Sequence, residues 1–395
     1  MSNQKPANSS PVFFALGFRP FYLLAGIFAL LALPMWIASY TGMLQWPGHM
    51  QGMYWHIHEM IFGFAPAVMA GFLLTAVRNW TGLPTPAGGK LAALVSLWVA
   101  ARVLNFTGPS LVAMVVDVAF LPMLGLSIAI PIWRSNNRRN IKVLAVLAVL
   151  ALANLVWHLA SMGVLMPYLM NVSYITAIDM ITILMAIVGG RVIPAFTGNA
   201  IPGSKPRHLK WLEVIALGSL VLIVLTDLVS TWHQISPRFW LVLLTIAALA
   251  HFARLSLWQP FKTQRNALLL MLPMAYLWIP VSLLLRAASQ VSDLSPAAAT
   301  HALTIGAMSS LMMAMMTRSA LGHSGRALTA SWVELSAFWL LQATAVVRVV
   351  ATMLPMVFYR NAMFVSAIFW TLAFAIFVGG YWKVLTQPRV DGKPG

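Results

Sequence analysis

The sequence reads as an all-α polytopic membrane protein with about twelve transmembrane helices, and three observations carry that reading. First, 60% of its 395 residues are hydrophobic and only 8% are charged, with a mean hydropathy of +0.83. A soluble core of this size does not use so much apolar surface. Second, apolar runs close to the ~20 residues that cross a bilayer recur along the whole chain. Third, basic residues collect in alternate loops, the positive-inside pattern.

Residues 1–19 form a tail, polar at first and ending in Gly17-Phe18-Arg19. Spans are predicted over 20–41, 55–78, 90–107, 110–133, 141–165, 169–191, 211–231, 236–257, 267–289, 297–317, 331–355 and 362–384, with a second tail over 385–395. Residues 20–384 are thus one transmembrane domain, leaving no room for a soluble one. The first ten residues are mostly polar, and no short apolar segment with a small-residue cleavage site follows, so the first span is expected to stay in the mature protein. Lys90, Arg138, Arg139, Lys205, Lys262 and Arg326 lie at or in loops of one side, whereas the other side holds little beyond Arg238 and Arg360. The expectation is a multi-pass protein with both termini cytoplasmic.

The net charge of +17 lies between spans, so it argues for membrane lipid rather than nucleic acid as the partner. Cysteine is absent. That excludes disulfides, thiolate-bound haem and cysteine-bound iron–sulfur clusters, and leaves His, Met and oxygen as metal ligands. The 24 methionines mostly fill gaps in an apolar interior. No phosphate-binding glycine loop, dinucleotide fingerprint or nucleophile elbow is present, which removes nucleotide and hydrolase readings.

The densest chemistry is Trp55-His56-Ile57-His58-Glu59-Met60, at the predicted outer start of the second span. Ionisable groups at a membrane boundary are costly and read first as functional. At 3.6 residues per turn, residues two apart point in roughly opposite directions. His56 and His58 are therefore not a ready pair on one metal. One is expected to ligate while the other takes a neighbouring role, with Glu59 as orienter or proton relay and the candidate catalytic group. An interfacial helix start with an N-terminal glutamate is the plain alternative. His158 and His301 fall at similar depth, and together these four histidines are candidate ligands for a metal or haem. Either His158 or His301 alone would be explained by helix packing.

Arg102 and Arg348 also lie in outer parts of spans. If buried, they need anions, for which Asp117, Asp227 or haem propionates could serve; otherwise they snorkel to the headgroups. An inner group contains His251 with Arg254, three residues apart on one face, and the stretch Arg318-Ser-Ala-Leu-Gly322-His323-Ser-Gly-Arg326. His251 and His323 join the candidate metal ligands, although positive-inside placement accounts for most of the charge there. Spans two, six and ten all end in Arg followed by a Thr/Ser-Gly pair: Arg78…Thr81-Gly82, Arg191…Thr197-Gly198 and Arg318…Ser324-Gly325. These spans are four apart in order, as three tandem four-helix units would require; the plain alternative is that Arg followed by Thr/Ser-Gly is a common way to end a helix.

Gly17-Phe18-Arg19-Pro20-Phe21, His56-Ile-His58-Glu59-Met60-Ile-Phe62-Gly63-Phe64, Gly71 through Gly82, Gly189-Gly190-Arg191-Val-Ile-Pro194-Ala-Phe-Thr197, His301-Ala-Leu-Thr304-Ile-Gly306-Ala and Met316 through Arg326 resemble the NnrS family, in order and through nearly the whole chain. Arg78 stands where that pattern has Pro, and Ser309 and Ser310 where it has Gly. The resemblance implies a haem- and copper-containing bacterial inner-membrane protein of the nitric-oxide response, associated with denitrification and nitrosative stress. Nitric oxide is then the expected small ligand, and its turnover by an oxidoreductase would also need an electron donor and protons. Two other readings remain: a secondary transporter of an anion or metal complex, with broken helices at Pro66 and Pro273, and a non-catalytic sensor or cofactor-delivery protein.

Overall fold

The structure, a computed structural model, describes residues 12–48, 50 and 52–393. Twelve helices among them are long and apolar enough to cross a membrane. They are α1 (Phe18–Tyr40), α2 (Gly52–Thr81), α3 (Gly89–Thr107), α4 (Ser110–Arg134), α5 (Arg138–Ser161), α6 (Leu169–Ala200), α7 (Lys210–Ser230), α8 (Pro237–Leu257), α9 (Ala267–Ala288), α10 (Pro296–His323), α11 (Trp332–Ala351) and α12 (Met356–Thr386). The even count returns both ends of the bundle to one side, here called the termini side; the other is the far side. Most of the 1–19 tail lies outside the described residues, but α1 begins at Phe18, and both Phe18 and Arg19 are buried. The start of the first span is therefore two residues earlier than the hydropathy reading. Arg19 Nη1 explains the shift. It donates to the carbonyls of Val384, Leu385 and Gln387 at 3.4, 3.3 and 2.7 Å. These are orphan acceptors at the C-terminal end of α12, where a cation is also favoured by the helix dipole.

Helices α2, α6 and α10 touch one another in the middle of the bundle, while α12 packs on α1, α4 on α5 and α8 on α9. The second helix of each predicted four-helix unit thus lies at the centre. Burial agrees. Over its most apolar stretch α2 is 83% buried and α10 67%, against 33% for peripheral α4. A helix apolar all round can be central; one facing lipid need bury only a stripe.

Two of the central helices are locally underwound into wide π turns, over Glu59–Phe64 in α2 and Ala302–Ser309 in α10. Such turns occur chiefly where a site needs a carbonyl or side chain re-aimed. In α2 the cause is partly Pro66, which follows the wide turn and has no N–H to donate back into it. Glycine permits the close approaches at both. A Cβ at Gly63 would run into the Arg102 guanidinium, and one at Gly306 into the Trp278 ring. Trp98 Nε1 donates to the Gly63 carbonyl at 3.0 Å, tying α3 to the wide turn. Neither proline breaks its helix: α2 continues through Pro66, and α9 runs unbroken through Pro273 and Pro280.

Candidate functional site

The start of α2 sends His56 and His58 to two different places. His58 and Glu59 enter a buried polar cluster with Arg102 and Asn105 of α3, Asp117 of α4, and Asn154 and His158 of α5. Glu59 Oε2 accepts from Arg102 Nη1 at 2.5 Å, and Oε1 accepts from Asn105 Nδ2 at 3.0 Å. Arg102 Nη2 also donates to Asp117 Oδ1. Asp117 Oδ2 accepts from Asn154 Nδ2 at 2.8 Å and faces His158 Nε2 at 3.0 Å. Both ring nitrogens of His58 face acceptors: Nδ1 lies 3.0 Å from Glu59 Oε1, and Nε2 lies 2.9 Å from Asn154 Oδ1 and 3.2 Å from Asp117 Oδ2. A ring so placed is satisfied by two protons, or by one proton and one metal ion. Ligand atoms from His58, Asp117 and His158 lie within 4.8 Å of one another, so this buried group could bind a metal.

Arg102 is only 6% exposed, so it does not reach for headgroups; its anions are Glu59 and Asp117. Buried charges at this depth persist because each is paired and hydrogen-bonded.

His56 instead lines a cavity of about 380 Å³ on the far side, bounded by α1, α2, α6, α10, α11 and α12. His301, Arg348, Trp36, Tyr174 and Tyr359 line it too. The His56 ring stacks on Trp36 with centroids 4.3 Å apart and planes at 21°. Its Nδ1 is buried without a hydrogen-bond partner. His301 Nδ1 donates to the Ala297 carbonyl at 2.7 Å. That fixes the tautomer and leaves Nε2 with the lone pair, the arrangement typical of metal-bound imidazoles. Arg348 is 8% exposed. Its Nη2 donates to Tyr359 Oη at 3.0 Å, while Nη1 is buried with no partner.

A family model described as NnrS protein matches residues 12–389. The chain belongs to the NnrS family. No curated relative matches it. The NnrS-family match spans the residues of both the cluster and the cavity.

The other expected ligands of this NnrS-family chain lie elsewhere. His251 sits toward the termini side, where Nε2–H donates to the Ala216 carbonyl at 3.1 Å and Nδ1 accepts from Tyr276 Oη at 2.7 Å. Arg254 beside it holds Glu213 through two bonds of 2.8 and 2.6 Å. Both imidazole nitrogens are used, and the network closes on itself. His323 packs on Phe18 with centroids 5.7 Å apart, near the end of the chain. Neither reaches the cavity or the cluster. Asp227 does not serve Arg348 either; it pairs with Arg286, which also lies 3.8 Å from Asp179. Sequence reasoning left out Asn105, although it lies three residues from Arg102 on the same helix face. It also left out Tyr359, which falls in a predicted loop, and Trp36 and Tyr174, which carry no signal apart from being aromatic.

Proposed function

We propose that this chain is a haem protein of the bacterial inner membrane, with cytoplasmic termini, that binds nitric oxide in the far-side cavity. One observation carries the reading: His56 and His301 line one aromatic-walled cavity, each with a ring nitrogen not used by the protein. The cavity's size lies within the usual 300–1,000 Å³ range for ligand and cofactor sites. Arg348 adds a second fit, since its unpartnered Nη1 and the Tyr359 hydroxyl suit a carboxylate such as a haem propionate. His301 and His56 would hold the iron, and Arg348 with Tyr359 a propionate. Bound haem supplies an iron centre for a diatomic ligand. His301 is fixed by its bond to Ala297, whereas His56 is held by stacking alone. His301 would therefore be the firmer of the two holds on the iron and His56 the weaker.

Binding rather than turnover is the better-supported activity. Both oxygens of Glu59 are already engaged, by Arg102 on one side and by His58 and Asn105 on the other. This favours an orienting role for Glu59 over a proton relay. Copper, where it is present, belongs at His58, Asp117 and His158, whose two imidazole nitrogens and carboxylate oxygen suit it. The basic residues on the termini side support the orientation.

The test is the absorption spectrum and metal content of protein produced with ample haem and copper. A Soret band is expected in the parent protein, absent in His301→Ala, weakened in His56→Ala and retained in His158→Ala. Purified protein with no haem would end the proposal.

A further inference from the structure

A second cavity, of about 80 Å³, lies between α2, α6, α9 and α10. All fourteen residues that line it are aliphatic, aromatic, methionine or glycine. The wall offers nothing to hydrogen-bond beyond thioether sulfur, a weak acceptor. A water molecule needs two to four polar partners to be held, so such a space stays dry or takes an apolar guest.

Its position gives it meaning. Phe64, Ile178 and Met308 line the far-side cavity; Val68, Ile181 and Met312 line this chamber. The steps are four, three and four residues, one helical turn on the same face of each central helix. The chamber therefore sits directly below the larger cavity along the shared axis of α2, α6 and α10. Its inner wall is buried, while Phe72, Val188, Val192 and Met315 are half-buried and form a rim toward the termini side. Methionine supplies part of the wall through Met69, Met185, Met312 and Met315. These are unbranched, polarizable side chains that yield to a small guest without leaving a fixed void.

We propose that this chamber is a docking site for a small uncharged molecule, a diatomic gas in particular, held one helical turn from the large cavity. Occupancy of the chamber is independent of any cofactor. Its service as a reservoir for nitric oxide rests on the haem reading above.

Xenon is the probe for the first part. In xenon-pressurised crystals of the full chain, one anomalous peak is expected in the chamber. Val68→Phe, on the buried wall, and Val192→Phe, on the rim, should each remove it; the rim variant remains informative if the buried one does not fold. No xenon in the chamber of the parent protein, an ordered water there instead, or a peak that survives filling would overturn the assignment, whether or not haem is present. Flash photolysis of the nitric-oxide adduct reads the second part. The fraction of nitric oxide recaptured before escape should fall at least twofold in the filled variants. Unchanged recapture with xenon displaced would overturn the reservoir role and leave the docking site standing.

Discussion

His56 and His58 are two residues apart in sequence and belong to different kinds of place. The His58 side is a nearly closed account of charge and hydrogen bonds: two carboxylates, one guanidinium, two carboxamides and two imidazoles, all buried and joined to one another, with Arg102 Nε and Asn105 Oδ1 left over. The His56 side is an open one. Its cavity contains an imidazole nitrogen and a guanidinium nitrogen that the protein leaves without partners. In a low-dielectric interior, a satisfied polar cluster fixes how helices sit, and an unsatisfied one awaits something else. Four helices, α2 to α5, are registered by the first; the second is where a ligand gains most.

Substitutions should separate the two. Arg102→Met leaves Glu59 and Asp117 buried without their cation and should cost about 3–5 kcal/mol of stability, read as a large fall in Tm in detergent. Arg348→Met removes a half-satisfied group and should cost about 1 kcal/mol or less, while loosening haem retention. Equal losses from the two would erase the distinction. Gly63→Ala drives a methyl into Arg102 and should cost about 1–3 kcal/mol, measurable by the same unfolding assay. Asn105→Ala deletes one donor to Glu59 and should cost about 1 kcal/mol, with an unchanged absorption spectrum. Chelating any bound copper should have the smallest effect of all, leaving the Soret band in place, because the cluster remains hydrogen-bonded once protons replace the ion. Loss of haem on chelation would show that the two sides are coupled.

The membrane spans were legible because a bilayer sets their length and composition directly. Eleven of the twelve predicted starts fall within about three residues of those observed. The junction between α11 and α12 was not, since Met353-Leu354-Pro355-Met356 stays apolar through the turn and only Pro355 marks it. That error hid Tyr359 in a loop. The divergence of His56 from His58 followed from helical geometry alone. Which acid meets which arginine did not: Asp117 and Asp227 look alike in sequence, and only the packing of α3 on α4 and of α7 near α9 assigns one to Arg102 and the other to Arg286. His251 and His323 carried the same residue-type signal as His301. What distinguishes them is tertiary contact: both nitrogens of His251 are taken by Tyr276 and Ala216, and His323 packs on Phe18 away from the cavity.

The wide turns have a further consequence for how these helices tolerate change. A π turn absorbs one residue more than the α-helical repeat while keeping the flanking helix in phase, so removing one residue between Glu59 and Phe64 would let α2 relax to regular winding with His56 and His58 still on their own faces. Inserting one residue beyond what the turn absorbs would instead swing everything upstream by about 100° about the helix axis. His56 would then rotate off the cavity wall and His58 off its carboxylates in a single step. The same holds for Ala302–Ser309 and His301. The spacing of the imidazoles is set by length as much as by side-chain identity.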